Sequence, residues 1–230
     1  MSLPPSHRVA LVHDWLTGYR GGEKVLHVLC ELFPEAPLYT LIHIPGSSHR
    51  EIEDRPIHAS WMNRLPGART RYRWLLPFFP GWADRLDLSA YDLVVSSSHC
   101  VAKGARARAD AVHVCYCHTP MRYVWDRFED YFGHLKGLRR ALIGQQAARL
   151  RRWDACTAER VDHYLANSRF VASRIERFYG MDPSRVEVLP PPVDLRAFDE
   201  DASAPRGDRY LVVSALVPYK RIDVAVEACA

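Results

Sequence analysis

Short apolar runs alternate along this chain with longer stretches in which apolar positions recur every three or four residues. Arg8-Val-Ala-Leu-Val-His13 predicts a buried strand and Glu23 to Phe33 an amphipathic helix. Ala36 to Ile42, Asp92 to Ser96 and Ala111 to Cys117 predict further strands. A long helical stretch follows, from about Gly133 to Val161. His163 to Asn167 is strand-like, Ser168 is placed to cap a helix reaching about Tyr179, and Arg185 to Leu189 predicts the next strand. Strands separated by helices predict parallel βαβ units with both sheet faces covered, an α/β fold.

Pro190-Pro-Pro then ends regular structure, and Asp199 to Asp208 is acidic, small and Pro/Gly-containing. A boundary is expected between about residues 194 and 208, giving domains 1–200 and 201–230. Beyond it, Tyr210 to Val213 predicts a buried strand. Lys220 opens a helical pattern with apolar residues at Ile222, Val224, Ala225, Val226 and Ala228. A strand, a tight loop and a lysine at a helix start suit an anion, since free N–H groups and an ammonium face it together. The sequence stops about three turns into that helix, counting ~3.6 residues per turn. The expectation is therefore the front part of a longer protein, with the second domain truncated.

Composition narrows the class. The chain is 48% hydrophobic and 25% charged, ordinary for a soluble globular protein. No run approaches the ~18 apolar residues of a membrane span, and Met1 to Arg8 lacks the apolar stretch of a secretory signal. Cys30, Cys100, Cys115, Cys117, Cys156 and Cys229 are scattered, mostly in apolar segments, as reduced thiols of a cytoplasmic protein would be. A net charge of +4 is too mild to demand nucleic acid, and no nucleic-acid partner is expected.

Two stretches carry candidate chemistry. His13 to Glu23 joins the first strand to the first helix, with glycines at 18, 21 and 22. Such loops gather beyond the carboxyl ends of parallel strands, where ligands bind, and glycine admits a close approach. The spacing is not Gly-x-Gly-x-x-Gly, which disfavours a nicotinamide enzyme; a plain turn stays open as the alternative. In Cys115-Tyr-Cys117-His118-Thr-Pro120 the two cysteines share one strand face and His118 points the other way. No second Cys/His pair stands at a zinc spacing, so the cysteines read as core and no metal is expected. His118 falls at the strand end, on the functional rim, with a structural histidine as the alternative.

Together these segments resemble the N-terminal two-thirds of a family 4 retaining glycosyltransferase. The likeness runs from about Arg8 onward and rests on Gly18 to Glu23, His118-Thr-Pro, Ala166-Asn-Ser-Arg-Phe-Val-Ala, and Val188-Leu-Pro-Pro-Pro-Val-Asp194 leading to Ser214-Ala-Leu-Val-Pro-Tyr-Lys220. Within the family it is most similar to mannosyltransferases that build bacterial surface polysaccharides. The resemblance implies the GT-B architecture: a Rossmann-like parallel sheet on the acceptor side, then the start of a second Rossmann-like, donor-binding domain. It implies a nucleotide-diphosphate sugar as donor substrate, a lipid-linked or saccharide acceptor, and no cofactor. By the same resemblance His118 lies beside the transferred sugar as the catalytic candidate. Gly21 and Gly22 approach the phosphates and Lys220 contacts the donor diphosphate. Many members carry an arginine five residues before that lysine; here Ala215 stands there, and Arg221 is the substitute candidate. The family's later acidic motif would lie beyond Ala230, so this chain alone is expected to be inactive.

Trp61 to Trp82 mixes aromatic residues and leucines with Arg64, Arg69, Arg71 and Arg73 and contains no acid. Trp61, Trp74 and Trp82 with Arg69, Arg71 and Arg73 form a candidate contact with an anionic membrane surface, peripheral to its inner face. The competing reading is a covered helix pair with its aromatics in the core. Arg139, Arg140, Arg149, Arg151, Arg152 and Arg160 read as a solvated helix face. Two other classes stay open: a non-catalytic module binding a nucleotide sugar or a partner, and a nucleotide-sugar epimerase of the same shape.

Overall fold

The computed structural model describes residues 8–195, 207–214 and 220–229. They fall in two compact units, Met1–Pro192 and Val193–Ala230, so the division follows the proline run.

The first unit is built on a seven-stranded sheet in the order β3-β2-β1-β4-β5-β6-β7, every neighbouring pair parallel. The strands are β1 (Val9–Leu16), β2 (Leu38–His43), β3 (Ile57–Ala59), β4 (Leu93–Ser98), β5 (Val112–Cys117), β6 (His163–Ala166) and β7 (Val186–Val188). The longest helices of this unit are α1 (Gly21–Leu32), α6 (Gly137–Cys156) and α7 (Arg169–Tyr179). Shorter ones are α2 (Arg50–Glu53), α3 (Ala68–Arg71), α4 (Phe79–Ala83) and α5 (Phe128–Phe132). This is the Rossmann-like α/β fold expected from the alternating pattern.

Strand β1 shows why the inner strands read as continuous apolar runs. Successive side chains leave opposite faces of a strand. Leu11 packs with Leu26 and Cys30 of α1 on one side of the sheet. Ala10 and Val12 join Leu41, Phe79, Trp82 and Leu150 on the other. A third cluster places Cys115 and Cys117 against Val171 and Ile175 of α7, which confirms those two cysteines as core residues. Ser168 caps α7 as expected, accepting from the Val171 N–H at 3.2 Å. Gly180 closes the same helix in the left-handed region, at φ +66°.

Four expectations are corrected. The helix from Gly133 to Val161 is confined to Gly137–Cys156 and followed by a 3₁₀ turn at Ala158–Arg160. Gly137 lies at φ +58°, outside the right-handed helical region, so the chain turns there. Residues 61–83 are short 3₁₀ and α-helical turns, broken at Leu65–Gly67 and with Pro77 inside the second 3₁₀ turn, rather than a helix pair. Trp82 is buried at 7% exposure and belongs to the core, so it offers no membrane contact, whereas Trp61 (57%) and Trp74 (83%) are open to solvent. Arg69, Arg71 and Arg73 are exposed as well.

The fourth correction concerns the second unit. Tyr210 to Val213 form no strand and are exposed, Val213 by 87%. A buried parallel strand needs neighbours on its edges to take up its N–H and C=O groups. None is described beside it. The helix α8 (Ile222–Cys229) is present and buries no residue. The Ala215 position lies outside the described residues. No described helix is long and apolar enough to cross a membrane.

Candidate functional site

At the carboxyl ends of β1, β4, β5 and β6 the following loops enclose an open cavity of about 540 Å³. Its lining includes Trp15, Arg20, Gly22, Glu23, His99 and His118, together with Arg122, Asn167, Ser168 and Arg174. The position follows from topology. Strand order reverses between β1 and β4, and the loops on either side of that point diverge to leave a crevice.

Two helix N-termini face this space. Helix α1 begins at Gly21, and Glu23 in its first turn accepts from the Arg20 N–H at 3.0 Å, the N3 half of a capping box. Burial pushes the Glu23 carboxyl up. Helix α7 begins at Arg169 with Ser168 as its cap. Unpaired N–H groups at both ends, with three arginines in the lining, favour an anionic ligand. Of the arginines, Arg174 is already engaged, donating to Asp126 at 2.7 Å between the rings of Phe170 and Phe178.

Gly22 and His118, about a hundred residues apart in sequence on the scale of a small domain, meet here. A Cβ added to Gly22 would stand 3.8 Å from His118 Nε2 and 3.9 Å from His13 Cε1. At Gly21 such an atom would meet nothing within 4 Å. His118 is held from two directions. Its carbonyl accepts from Asn167 Nδ2 at 2.9 Å, which explains the amide in the Ala166-Asn-Ser segment. Its Nε2 lies 2.9 Å from Ser97 Oγ.

Hydrogen-bond complementarity assigns the proton of His13. Its Nδ1 lies 3.1 Å from the Ser97 carbonyl, which can only accept, so this nitrogen carries hydrogen. The Ser97 hydroxyl lies 3.1 Å from the same nitrogen and 2.9 Å from His118 Nε2, and because a hydroxyl both donates and accepts, it satisfies either tautomer of His118. Burial lowers His13 and His118 to about 3 and His99 to about 4, so all three rings are neutral near pH 7. His118 is thus a rim residue that offers an uncharged ring.

The floor is set by Asp14, fully buried beside His13. Its two oxygens accept four backbone N–H groups, from His99, Cys100, Val101 and Ala102, at 2.6–2.8 Å. Its Oδ2 is also 3.2 Å from His99 Nδ1, and the Trp15 ring meets His99 edge-on at 4.4 Å. Burial pushes the Asp14 carboxyl up while the N–H donors pull against it. His13, Asp14, Ser97 and His99 carry no spacing signature and escape a reading of the sequence, the end-of-strand position of His13 and Asp14 being the one hint; Asn167 stood within the Ala166-Asn-Ser segment, but without a role.

Lys220 and Arg221 belong to the second unit and are exposed. Arg221 sits at φ 47° and pairs through two nitrogens with Asp223, at 2.9–3.0 Å. Its charge is therefore shared with a carboxylate. Elsewhere, among the described residues, His27, His49 and Glu51 form a cluster able to hold a metal ion. Nothing in their spacing marked it.

A family model, Glycosyltransferase Family 4, matches residues 19–197 of this chain. No curated protein matches it. Among solved structures, Anabaena HepE in complex with UDP and glucose aligns with 86% of this chain at 13% identity and a TM-score of 0.48. The wall teichoic acid polymerase TagF aligns with 79% at 10% identity and a TM-score of 0.39. This chain spans 48% and 38% of the lengths of those two structures.

Proposed function

The chain belongs to glycosyltransferase family 4, and from that premise we propose that it forms the acceptor-side part of a glycosyl-transferring enzyme. The donor is a nucleotide-diphosphate sugar and the transferred unit a hexose, with mannose the first candidate. The acceptor is a lipid-linked or growing saccharide, and transfer proceeds with retention. The observation that carries this reading is the juxtaposition of the α1 N-terminus with His118 in one cavity, where a Cβ added to Gly22 would reach van der Waals contact with the imidazole.

Charge builds on a departing diphosphate, and fixed N–H dipoles at Gly21 and Gly22 meet it without reorganisation. Lys220 adds a cation to the diphosphate from the second unit. Arg221 contributes less, because Asp223 already neutralises it. The neutral His118 hydrogen-bonds a hydroxyl of the transferred sugar rather than a phosphate. No metal is assigned a part in transfer, since these groups supply the positive charge. Exposed Trp61 and Trp74 with Arg69, Arg71 and Arg73 hold the protein on an anionic membrane, near a lipid-linked acceptor.

The test is Gly22→Ala in the complete protein. Alanine favours helix over glycine by about 1 kcal/mol, and the added methyl makes only ordinary contacts, so the melting temperature should hold or rise. The same methyl occupies the approach to the first-turn N–H groups. Transfer from nucleotide-diphosphate hexoses should fall at least tenfold, with anomeric configuration read by NMR of the product. Wild-type transfer rates in the variant would remove the phosphate role of this loop.

A further inference from the structure

The cluster on the outer side of α1 has a geometry of its own. His27 projects from α1, and His49 and Glu51 stand at the start of α2. One ligand atom from each of the three lies within 4.8 Å of the others. The His27 and His49 rings stack at 4.0 Å and 25°, and His27 Nε2 contacts Glu51 Oε2 directly. Glu31, one turn along α1, brings a second carboxylate to 3.8 Å from the same nitrogen. The other nitrogen of His27 is also fixed, with Tyr19 Oη 2.8 Å from Nδ1.

We propose that His27, His49 and Glu51 bind a zinc-type divalent cation, with Glu31 or water completing a four-coordinate shell. Two imidazoles and a carboxylate are a donor set that zinc prefers over the all-oxygen sets of magnesium or calcium. Tetrahedral ligands at about 2.0–2.2 Å from the metal stand roughly 3.3 Å from one another. The His27–Glu51 contact must open a little and His49 must close in by about 1.5 Å at most on the same geometry. To do so His49 gives up a long, 3.5 Å cap contact from the Glu51 N–H and turns out of its stack on His27, so that both ring planes point at the metal. His27 needs no rotation. Moving its proton from Nε2 to Nδ1 vacates the ligating nitrogen, and Nδ1–H then donates to Tyr19 Oη, the outer-shell bond that metal-bound histidines commonly make. No net proton leaves the His27 ring.

The cation would also brace the cavity. Tyr19 precedes Arg20, which lines it and supplies the N–H that Glu23 accepts in the first turn of α1. Fastening Tyr19 through His27 ties the glycine-containing loop to α2, a structural part for the metal that is separate from glycosyl transfer.

Titration of the tag-free, metal-stripped complete protein tests this, using Zn²⁺ in calorimetry and Co²⁺ in absorption, with Cys156 and Cys229 replaced by serine to remove exposed thiols. One equivalent should bind, and the melting temperature should climb with metal concentration. His49→Gln and His27→Gln should each weaken binding by about 100-fold, and Tyr19→Phe by about tenfold through the outer shell. His49 lies on the surface-facing cap of α2, so H49Q decides the matter if H27Q folds poorly. Absence of saturable uptake overturns the site, as does uptake that H49Q leaves unchanged.

Discussion

Ser97 Oγ stands 2.9 Å from His118 Nε2, on the strand next to the one His118 follows. That single hydroxyl holds the rim histidine ring and also contacts His13 Nδ1 at 3.1 Å. It therefore couples the end of β1 to the end of β5 through β4, and the chemistry of the cavity depends on a residue that no sugar need touch.

Ser97→Ala should leave the fold intact at a cost of about 1–3 kcal/mol, the usual penalty for stranding a buried polar partner. His118 Nε2 should lose its hydrogen-bond partner, which should move the ¹⁵N shifts of the ring. Transfer by the complete protein should slow while donor affinity holds. Unchanged ring shifts would mean that something other than Ser97 orients His118.

Two fully buried histidines, His13 and His113, and two half-buried ones, His99 and His118, predict acid sensitivity. His13, His99, His113 and His118 are held at about 3–4 by burial, well below the 6.5 of an exposed ring. The unfolded chain thus binds more protons between about pH 6.5 and 4, so stability is complete above that window and lost as pH falls through it. Each group steepens the loss toward about 1.4 kcal/mol per pH unit. Denaturant midpoints measured from pH 8 to 4 should decline progressively below about pH 6.5; a flat profile down to pH 4.5 would contradict the burial of these rings.

Two tryptophans in one segment should behave oppositely. Trp82→Ala opens a cavity in the core and should cost about 3–5 kcal/mol in chemical denaturation. Trp74→Ala, at an 83% exposed site, should stay within about 0.5 kcal/mol of wild type. The same Trp74 change, combined with Arg69, Arg71 and Arg73 to Glu, should abolish sedimentation with anionic liposomes. Added salt should weaken the wild-type binding, because headgroup attraction is screened over ~10 Å at 0.1 M. Binding indifferent to both salt and charge reversal would refute the membrane contact.

For the second unit, Lys220→Ala in the complete protein should raise the donor dissociation constant tenfold or more, since a charged phosphate contact contributes ~1.5–3 kcal/mol. Arg221→Ala should have a smaller effect, given its pairing with Asp223. Equal losses in calorimetry for the two would mean that Asp223 releases Arg221 to the donor.

The inner strands were legible in the sequence because a parallel sheet covered on both faces needs short apolar runs, such as Val9–Val12 of β1 and Leu93–Val95 of β4. Ser168 was legible because a cap depends on the backbone within a few residues. Gly21, Gly22 and His118 stood out because loop position and residue type together suggested ligand approach. Composition alone misplaced Trp82, since an apolar face and a lipid-facing one use the same residues. It also misread Tyr210 to Val213, whose strand character depends on neighbours the described residues do not supply. The partnership of His118 with Ser97 and Asn167, and of His27 with His49 and Glu51, was decided by tertiary structure. Those side chains come from separate strands and helices, and parallel crossovers bring them together by topology, which leaves no periodicity or spacing to read.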